Sequence, residues 1–597
     1  MPRLKGFLYL LPATIIALFL SAAFANEEPM TPPPPTDISL EQANAVVAAA
    51  YQKAEEQGTL MDIAVVDRGG NLKAFVRMDG AFAGSIDIAI RKARTSVLFP
   101  FPTGVLGELS QPGEPLYQIE VSNDGLITFP GGLPIVDGHD NVIGAIGVSG
   151  STVEDDHEVA MAGAEAVLAD ELQPLEIDTS TLLGQALMAI DAAERKATEI
   201  EVPMDIAVVD SSANLKAFKR MDGAFLGSID IAIKKARTST LFPFATGVLG
   251  GLSQPGQPLY QIEVSNEGLI TFPGGLPLVD ANGVPSGGIG VSTGSVEEDH
   301  EVATAGAQAF ATQEIAVEPA NINLEQAMAV IAAARDRAIE LDTLMNIAVV
   351  DAGGNLRAFA RMDDSYLGSV DIAIKKAQTS AWFTMPTGTL GELSQPGEPL
   401  YQIELSNDGL ITFPGGVPIK NSDGTIIGAI GVSGSTIEND HDVAIVGVEA
   451  IFADELPTLE ADGESALDQA FTAIYAAQEK AVEIEVPMDI AVVDSGANLK
   501  AFVRMDGAFL GSIDIAIKKA RTSALFPFPT GTLGELSQPG EPLYRIELSN
   551  DGLITFPGGV PLATGDGSSF GAIGVSTGTV EEDHEVATAG VDALAGQ

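Results

Sequence analysis

Met61-Asp62-Ile63-Ala64-Val65-Val66-Asp67-Arg68-Gly69-Gly70-Asn71-Leu72-Lys73-Ala74-Phe75-Val76-Arg77-Met78 is an apolar β-branched run, a glycine-containing turn and a second run of strand-forming residues. That order predicts an antiparallel hairpin. The stretch occurs four times. Its IAVVD aspartate falls at Asp67, Asp210, Asp351 and Asp494, stepping by 143, 141 and 143 residues. A histidine inside a D-H-[ED]-V-A segment, at His157, His300, His441 and His584, keeps the same steps. A period near 140 residues is a whole domain rather than a solenoid unit.

Working outward within the first repeat, Leu40, Ala43, Val46, Val47, Ala50 and Ala54 recur at helical spacing before the hairpin, which predicts an amphipathic helix. After it, Ser85 is placed to cap a helix running through Thr95, with Asp87 in the first turn. The proline- and glycine-rich stretch Phe99 to Pro115 reads as a long ordered loop or a broken helix. Strands are expected at Leu126–Phe129, Leu133–Asp137 and Val142–Ser149. A last helix opens at Thr152 with Asp155 at capping-box spacing. The fold class is therefore α+β, each repeat an antiparallel sheet of about five strands flanked by helices in the order α-β-β-α-β-β-β-α.

The domain boundaries follow from these signals. Residues 1–25 read as a secretory signal, with Arg3 and Lys5 ahead of the apolar run Phe7 to Leu20 and a small-x-small site at Ala23-Phe24-Ala25. Residues 26–38, with Pro32 to Pro35, form a stiff disordered leader. Repeats span 39–172, 180–316, 323–454 and 464–597, joined by short acidic or proline-containing linkers. Repeats 1 and 3 share TLM[DN]IAVVD and VSGST, whereas repeats 2 and 4 share EIEVPMDIAVVDS and VSTG. The pattern is A-B-A-B, which predicts face-to-face A–B pairs that mimic a homodimer, present twice.

Net charge is −51, from 82 acidic and 31 basic residues. So acidic a surface repels nucleic acid and anionic membrane, and excludes both as partners once the signal is cleaved. It suits a solubility coat in an external medium, so the expected location is periplasmic or secreted. There is no cysteine, so stability must come from the cores.

Two features can carry chemistry. The four equivalent histidines lie in an acidic first helical turn, where they are either solvated or available as axial ligands to haem iron or another metal. One histidine per domain cannot close a zinc site, but two brought together across a domain pair could share a metal. The basic residues cluster at five positions per repeat. They are Arg91, Lys92 and Arg94 with Lys73 and Arg77, and their equivalents, among them Lys235, Arg237, Lys376, Lys519 and Arg521; repeat 3 has Gln378 in place of an arginine. Beside Thr95, Thr238, Thr379 and Thr522 they suit either a small anionic ligand or internal pairing with Asp67, Asp79, Asp87 and their equivalents. Phe-Pro-Gly-Gly-[LV]-Pro at Phe129–Pro134 and its three copies marks a tight reversal or close backbone approach. No nucleophile elbow, P-loop or dinucleotide fingerprint is present.

The segments IAVVD-x-x-x-NL-[KR]-AF, DIAI[KR]KA[RQ]TS, and GG[LV]P followed by G[AG]IGVS and the histidine helix resemble the GlcG/HbpS family of small α+β domains, over all four repeats. That resemblance implies haem or another tetrapyrrole as ligand, and homo-oligomeric assembly. It also implies a ligand site near Lys92 and Thr95 and their equivalents. Haem degradation is implied only at the level of the family. The expectation is an exported haem- or tetrapyrrole-binding protein. Its ligand is held in clefts between paired repeats, the cations meet the propionates, and His157, His300, His441 and His584 meet the iron. A non-catalytic scaffold or assembly protein is the alternative, followed by an enzyme that degrades haem or acts on a small organic acid.

Overall fold

The structure, a computed structural model, describes residues 37–169, 171–311, 321–461, 465–563 and 569–595. The signal segment and the leader up to residue 36 lie outside the described residues. Among the described residues no helix is long and apolar enough to cross a membrane.

The first repeat runs α1 (Leu40–Gln57), β1 (Asp62–Asp67), β2 (Leu72–Arg77), α2 (Ser85–Leu98), α3 (Thr103–Ser110), β3 (Gly132–Val136), β4 (Val142–Ser149) and α4 (Val153–Glu165). Ser39 caps α1 through a full capping box with Gln42, and Thr152 caps α4 by accepting from the Asp155 N–H, which satisfies N–H groups the helix leaves unpaired. The structure departs from the sequence reading of this repeat at two points. Ser85 is the first residue of α2 and makes no cap bond; the cap position is Gly84. The stretch read as a long ordered loop or a broken helix does hold a helix, α3, separated from α2 by a short break. Leu126–Phe129 is not a strand, so each repeat has four strands among the described residues. The Ile127 N–H is taken by the Thr95 hydroxyl at 3.1 Å and the Thr128 hydroxyl donates to Glu120 at 2.7 Å, so side chains replace the strand partner.

Both faces of the sheet are covered. α1 and α4 pack on one face and α2 on the other, which is why every residue of β1 is buried and the IAVVD run does not alternate with polar residues. Ile63 and Val65 enter the larger core with Val46 and Val159, while Ala64 and Val66 enter a thinner one with Ala89 and Ala93, the period-two alternation of a strand between two layers. The thin layer requires Gly147 in β4, where a Cβ would strike the Ala89 carbonyl and Ala93 nitrogen of α2.

The second repeat supplies β5 (Asp205–Asp210), β6 (Leu215–Arg220), β7 (Gly275–Val279) and β8 (Pro285–Ser292). Its β6 pairs antiparallel with β2, Phe75 opposite Phe218, giving one eight-stranded sheet in the order β3-β4-β1-β2-β6-β5-β8-β7. Repeats 3 and 4 join in the same way with Phe359 opposite Phe502. The A–B pair is thus spliced edge to edge, not packed face to face, and the pairing covers two edges that would otherwise be sticky.

Ion pairs cross each splice. Arg77 reaches Asp210 and the Leu215 carbonyl, and Arg220 reaches Asp67 and the Leu72 carbonyl. Lys73 pairs with Asp222 and Lys216 with Asp79. Asp67 does double duty: its Oδ1 accepts from Gly69 and Asn71 N–H at 2.8 and 3.0 Å, fixing the hairpin turn, and its Oδ2 takes the arginine.

Candidate functional site

The first element of the expected site is the lysine of α2. Lys92 is fully buried; its Nζ donates to Asp156 at 2.7 Å and to the Val148 carbonyl at 2.9 Å, 4.8 Å from the centre of the Phe129 ring. Lys235–Asp299, Lys376–Asp440 and Lys519–Asp583 repeat the pair at 2.8, 2.8 and 2.6 Å. Burial pulls the ammonium of Lys92 below its usual range and pushes the Asp156 carboxyl up; Asp583 rises to about 6 for the same reason. The Gly-Gly of the Phe-Pro-Gly-Gly motif makes room for this pair. Gly131 has φ +120, and a Cβ there would meet Lys92 Nζ, the Val148 carbonyl and Asp156. The lysines expected at the ligand site are therefore dry structural ions.

The threonines act in the same interior. Thr95, Thr238, Thr379 and Thr522 accept the N–H of Ile127, Ile270, Ile411 and Ile554 at 3.1 to 3.2 Å, pinning the segment before the Gly-Gly motif onto α2 or its equivalent. The remaining clustered cations are also engaged. Arg91, Lys234, Lys375 and Lys518 pair with the aspartate one turn earlier, and Arg237 lies 3.7 Å from Glu267. Arg94 and Arg521 make no ion pair among the described residues. Of the two readings of the basic cluster, internal pairing accounts for nearly all of it.

The histidines follow the buried aspartate on α4 and its equivalents. His157, His441 and His584 are half-buried and His300 is exposed. The Nδ1 atoms of His441 and His584 are buried with no hydrogen-bond partner. The A–B pairing does not bring them together. α4 packs on β3 and β4 at one end of the eight-stranded sheet, and the helix of His300 packs on β7 and β8 at the other. Among the described residues no three His, Asp or Glu side chains converge as a metal site.

Two cavities lie between the pairs. A cleft of about 520 Å³ separates repeats 1 and 3, lined by Gly107, Gln111, Phe129, Pro130 and Glu154 on one side and Tyr401 on the other. Glu154 precedes His157 by three residues on α4, so both occupy one helix face. A second cavity of about 360 Å³ sits where repeats 1, 2 and 3 meet, bounded by Arg77, Asp79, Lys216, Phe310 and Trp382. Burial, with Arg77 beside it, brings Lys216 down to about 8. As an environment for haem, the first cleft offers an aromatic wall and a neighbouring imidazole, and two of the equivalent imidazoles carry an orphaned nitrogen. It offers no free cation for propionates. The fit therefore extends to the iron ligand and not to the carboxylates. Neither the cleft nor the splice was legible beforehand; the only hint was that Lys92 stands on the same helical stripe as Ile88 and Thr95, which is a buried one.

Residues 38–165, 183–308, 322–449 and 466–592 each match the family described as "Haem degrading protein HbpS-like". One repeat is 41% identical over 118 residues to an uncharacterised 15.0 kDa protein of Citrobacter freundii, covering 20% of this chain and 82% of that one. The match to the corrinoid adenosyltransferase PduO of Salmonella typhimurium is 38% over 120 residues, 20% of this chain but only 35% of that protein. GlcG of Escherichia coli is 38% identical over 113 residues, 19% of this chain and 81% of GlcG. Among solved structures, the ORFY protein of Klebsiella pneumoniae aligns at 39% identity over 22% of this chain and 92% of its own, with a TM-score of 0.22. The PduOC–haem complex aligns at 33% over 21% and 93%, with a TM-score of 0.21.

Proposed function

Since this chain belongs to the HbpS-like family throughout its four repeats, we propose that it is an exported haem-binding protein whose sites lie in clefts between repeats of neighbouring pairs. The observation that carries the reading is the half-buried imidazole on α4, one turn from the aromatic cleft of Phe129 and Tyr401. His157, His300, His441 and His584 are the proposed iron ligands. With the lysines of the cluster consumed internally, Arg94 and Arg521, which make no ion pair among the described residues, are the cluster cations left for an anionic periphery, beside Arg237 at 3.7 Å from Glu267.

Titration of the purified chain with hemin tests this. A Soret shift beyond that of an unrelated acidic protein, lost in a fourfold His→Ala variant, is the expected result. A shift no larger than the control overturns it. A second reading, a scaffold without ligand, is favoured by the exhaustion of the buried cations in ion pairs; it predicts colourless protein from haem-replete cells.

A further inference from the structure

The cavity where repeats 1, 2 and 3 meet differs from the cleft beside His157 in both size and lining. Its charged floor belongs to the splice of the first pair. Arg77 reaches Asp210 and the Leu215 carbonyl, and Lys216 reaches Asp79. Donors and acceptors do not balance there. Asp210 also accepts the N–H groups of Ser212 and Asn214, both at 2.9 Å. Asp79 also accepts the Leu183 N–H at 3.2 Å, in the first turn of the helix Leu182–Glu199. Both carboxylates are already engaged. Lys216 has three N–H groups and, among the described residues, the one acceptor Asp79, whereas Lys92 and Lys219 each have two. At 4% exposure its spare N–H groups meet little bulk water. Burial, then the neighbouring Arg77, weakens this lysine's hold on its proton. An anion in the cavity would offset both.

The wall contributed by repeat 3 is built from departures that occur in one copy only. Trp382 stands where the other repeats carry Leu98, Leu241 and Leu525, and Gln378 replaces an arginine. Trp382 donates from Nε1 to the Gly353 carbonyl at 2.9 Å, and Gln378 donates to the Gly354 carbonyl at 3.3 Å. Both brace the hairpin turn that borders the cavity. Asn214 of repeat 2 sends its amide to the same Gly353 carbonyl at 3.5 Å. Its equivalents Asn71, Asn355 and Asn498 instead turn back to the aspartate of their own hairpin at 3.1 to 3.2 Å. With its N–H engaged, the indole offers the cavity carbon surface alone. Phe82 and Phe310 add two more rings. A volume of about 360 Å³ thus joins aromatic walls to a donor-rich floor, at the small end of ligand pockets.

We propose that this cavity is a binding site for a small aromatic carboxylate. The carboxylate takes the spare N–H groups of Lys216, beside the guanidinium of Arg77, and the ring lies among Trp382, Phe82 and Phe310. A cation would meet Lys216, Arg77 and only engaged carboxylates. A neutral ligand would leave the buried ammonium as it is. The site is separate from the proposed iron ligands and does not depend on them.

Trp382 is the chain's one tryptophan, so its fluorescence reports on this cavity. The purified full chain is titrated with phenylacetate. The expected result is a saturable change with a dissociation constant on the order of 1 mM or tighter, unaltered in the fourfold His→Ala variant. Acetate, benzyl alcohol and phenethylamine bind at least about tenfold more weakly. Calorimetry on three variants locates the site. Trp382→Leu installs the residue of the other repeats and weakens binding about threefold to tenfold. Ala83→Leu, on the loop before α2, takes up cavity volume and abolishes binding. Lys216→Met with Asp79→Asn removes the ion pair without stranding a charge, and weakens binding at least about tenfold with circular dichroism unchanged. No saturable change with phenylacetate overturns the proposal, as does equal affinity for the alcohol or the amine. A response lost in the histidine variant belongs to the other cleft and overturns it too. So does unchanged affinity in both Trp382→Leu and Ala83→Leu, whose folding does not rest on the ion pair.

Discussion

Arg220 of the second repeat places its Nη2 2.7 Å from Oδ2 of Asp67 in the first, both side chains buried, while Arg77 makes the reverse crossing to Asp210. The two arginines stitch the splice symmetrically, and each also takes a carbonyl of the facing strand. A buried pair adds little over an apolar substitute, but losing one partner strands a charge.

Arg220→Ala is therefore expected to lower stability by about 3–5 kcal/mol, read from the denaturant midpoint of the first unfolding transition. Arg220→Met combined with Asp67→Asn recovers part of that loss. Equal midpoints for the single and double variants would remove the splice pair as a stabilising element.

The buried Lys92 is expected to matter for folding and not for ligand. Lys92→Met strands Asp156 and costs on the order of 3 kcal/mol, while hemin affinity stays within about twofold, well under the tenfold that 1.4 kcal/mol would represent. A large fall in affinity at unchanged melting temperature would return the lysine to the ligand site.

Acid carboxyls under the sheet make stability fall with rising pH. Asp205 is raised to about 7 by burial, and Asp62 and Asp489 well above their usual range. Neither oxygen of Asp62 has a partner. In repeat 3 the same position is Asn346, whose amide donates to Ser365 and the Tyr366 carbonyl at 3.3 and 3.1 Å, so a neutral side chain is what the site accepts. A carboxyl whose pKa is raised in the folded state binds its proton more tightly there. Its stabilisation is full below the unfolded value and is lost as pH rises through the window to the folded one, here from about 4 to about 7 for Asp205. Asp205→Asn should remove that slope and gain on the order of 3 kcal/mol at pH above the window. Melting temperatures measured across the window in both proteins decide it; parallel curves would contradict the assignment.

Gly131→Ala is expected to cost about 2–4 kcal/mol, because the added Cβ meets a positive φ and the lysine–aspartate pair at once. Gly138→Ala, with open space around it, serves as the control and should stay within about 0.5 kcal/mol. Thermal shift on both variants suffices.

The repeat period, the hairpin and the cap at Thr152 were legible because they depend on local spacing and hydrogen bonding. The splice was not, since Phe75 and its neighbours alternate in the same way whether β2 is an edge or an interior strand. Leu126–Phe129 was misjudged for a related reason: its composition suits a strand, but its backbone partner is the Thr95 hydroxyl. The basic cluster allowed two readings, and internal pairing with Asp67, Asp79 and Asp87 is the one the structure forms; the partner of Lys92 was not legible, because only three dimensions show that Asp156, sixty-four residues later, lies beneath it.

Splicing β2 to β6 within one polypeptide also has a consequence for dilution. A homodimer of single domains held by the same Phe75–Phe218 register would dissociate as its concentration fell. Here the second strand is supplied at an effective concentration set by the linker, on the order of millimolar for short tethers. The sheet therefore survives in a medium where free protein is scarce, and its halves can diverge without losing each other.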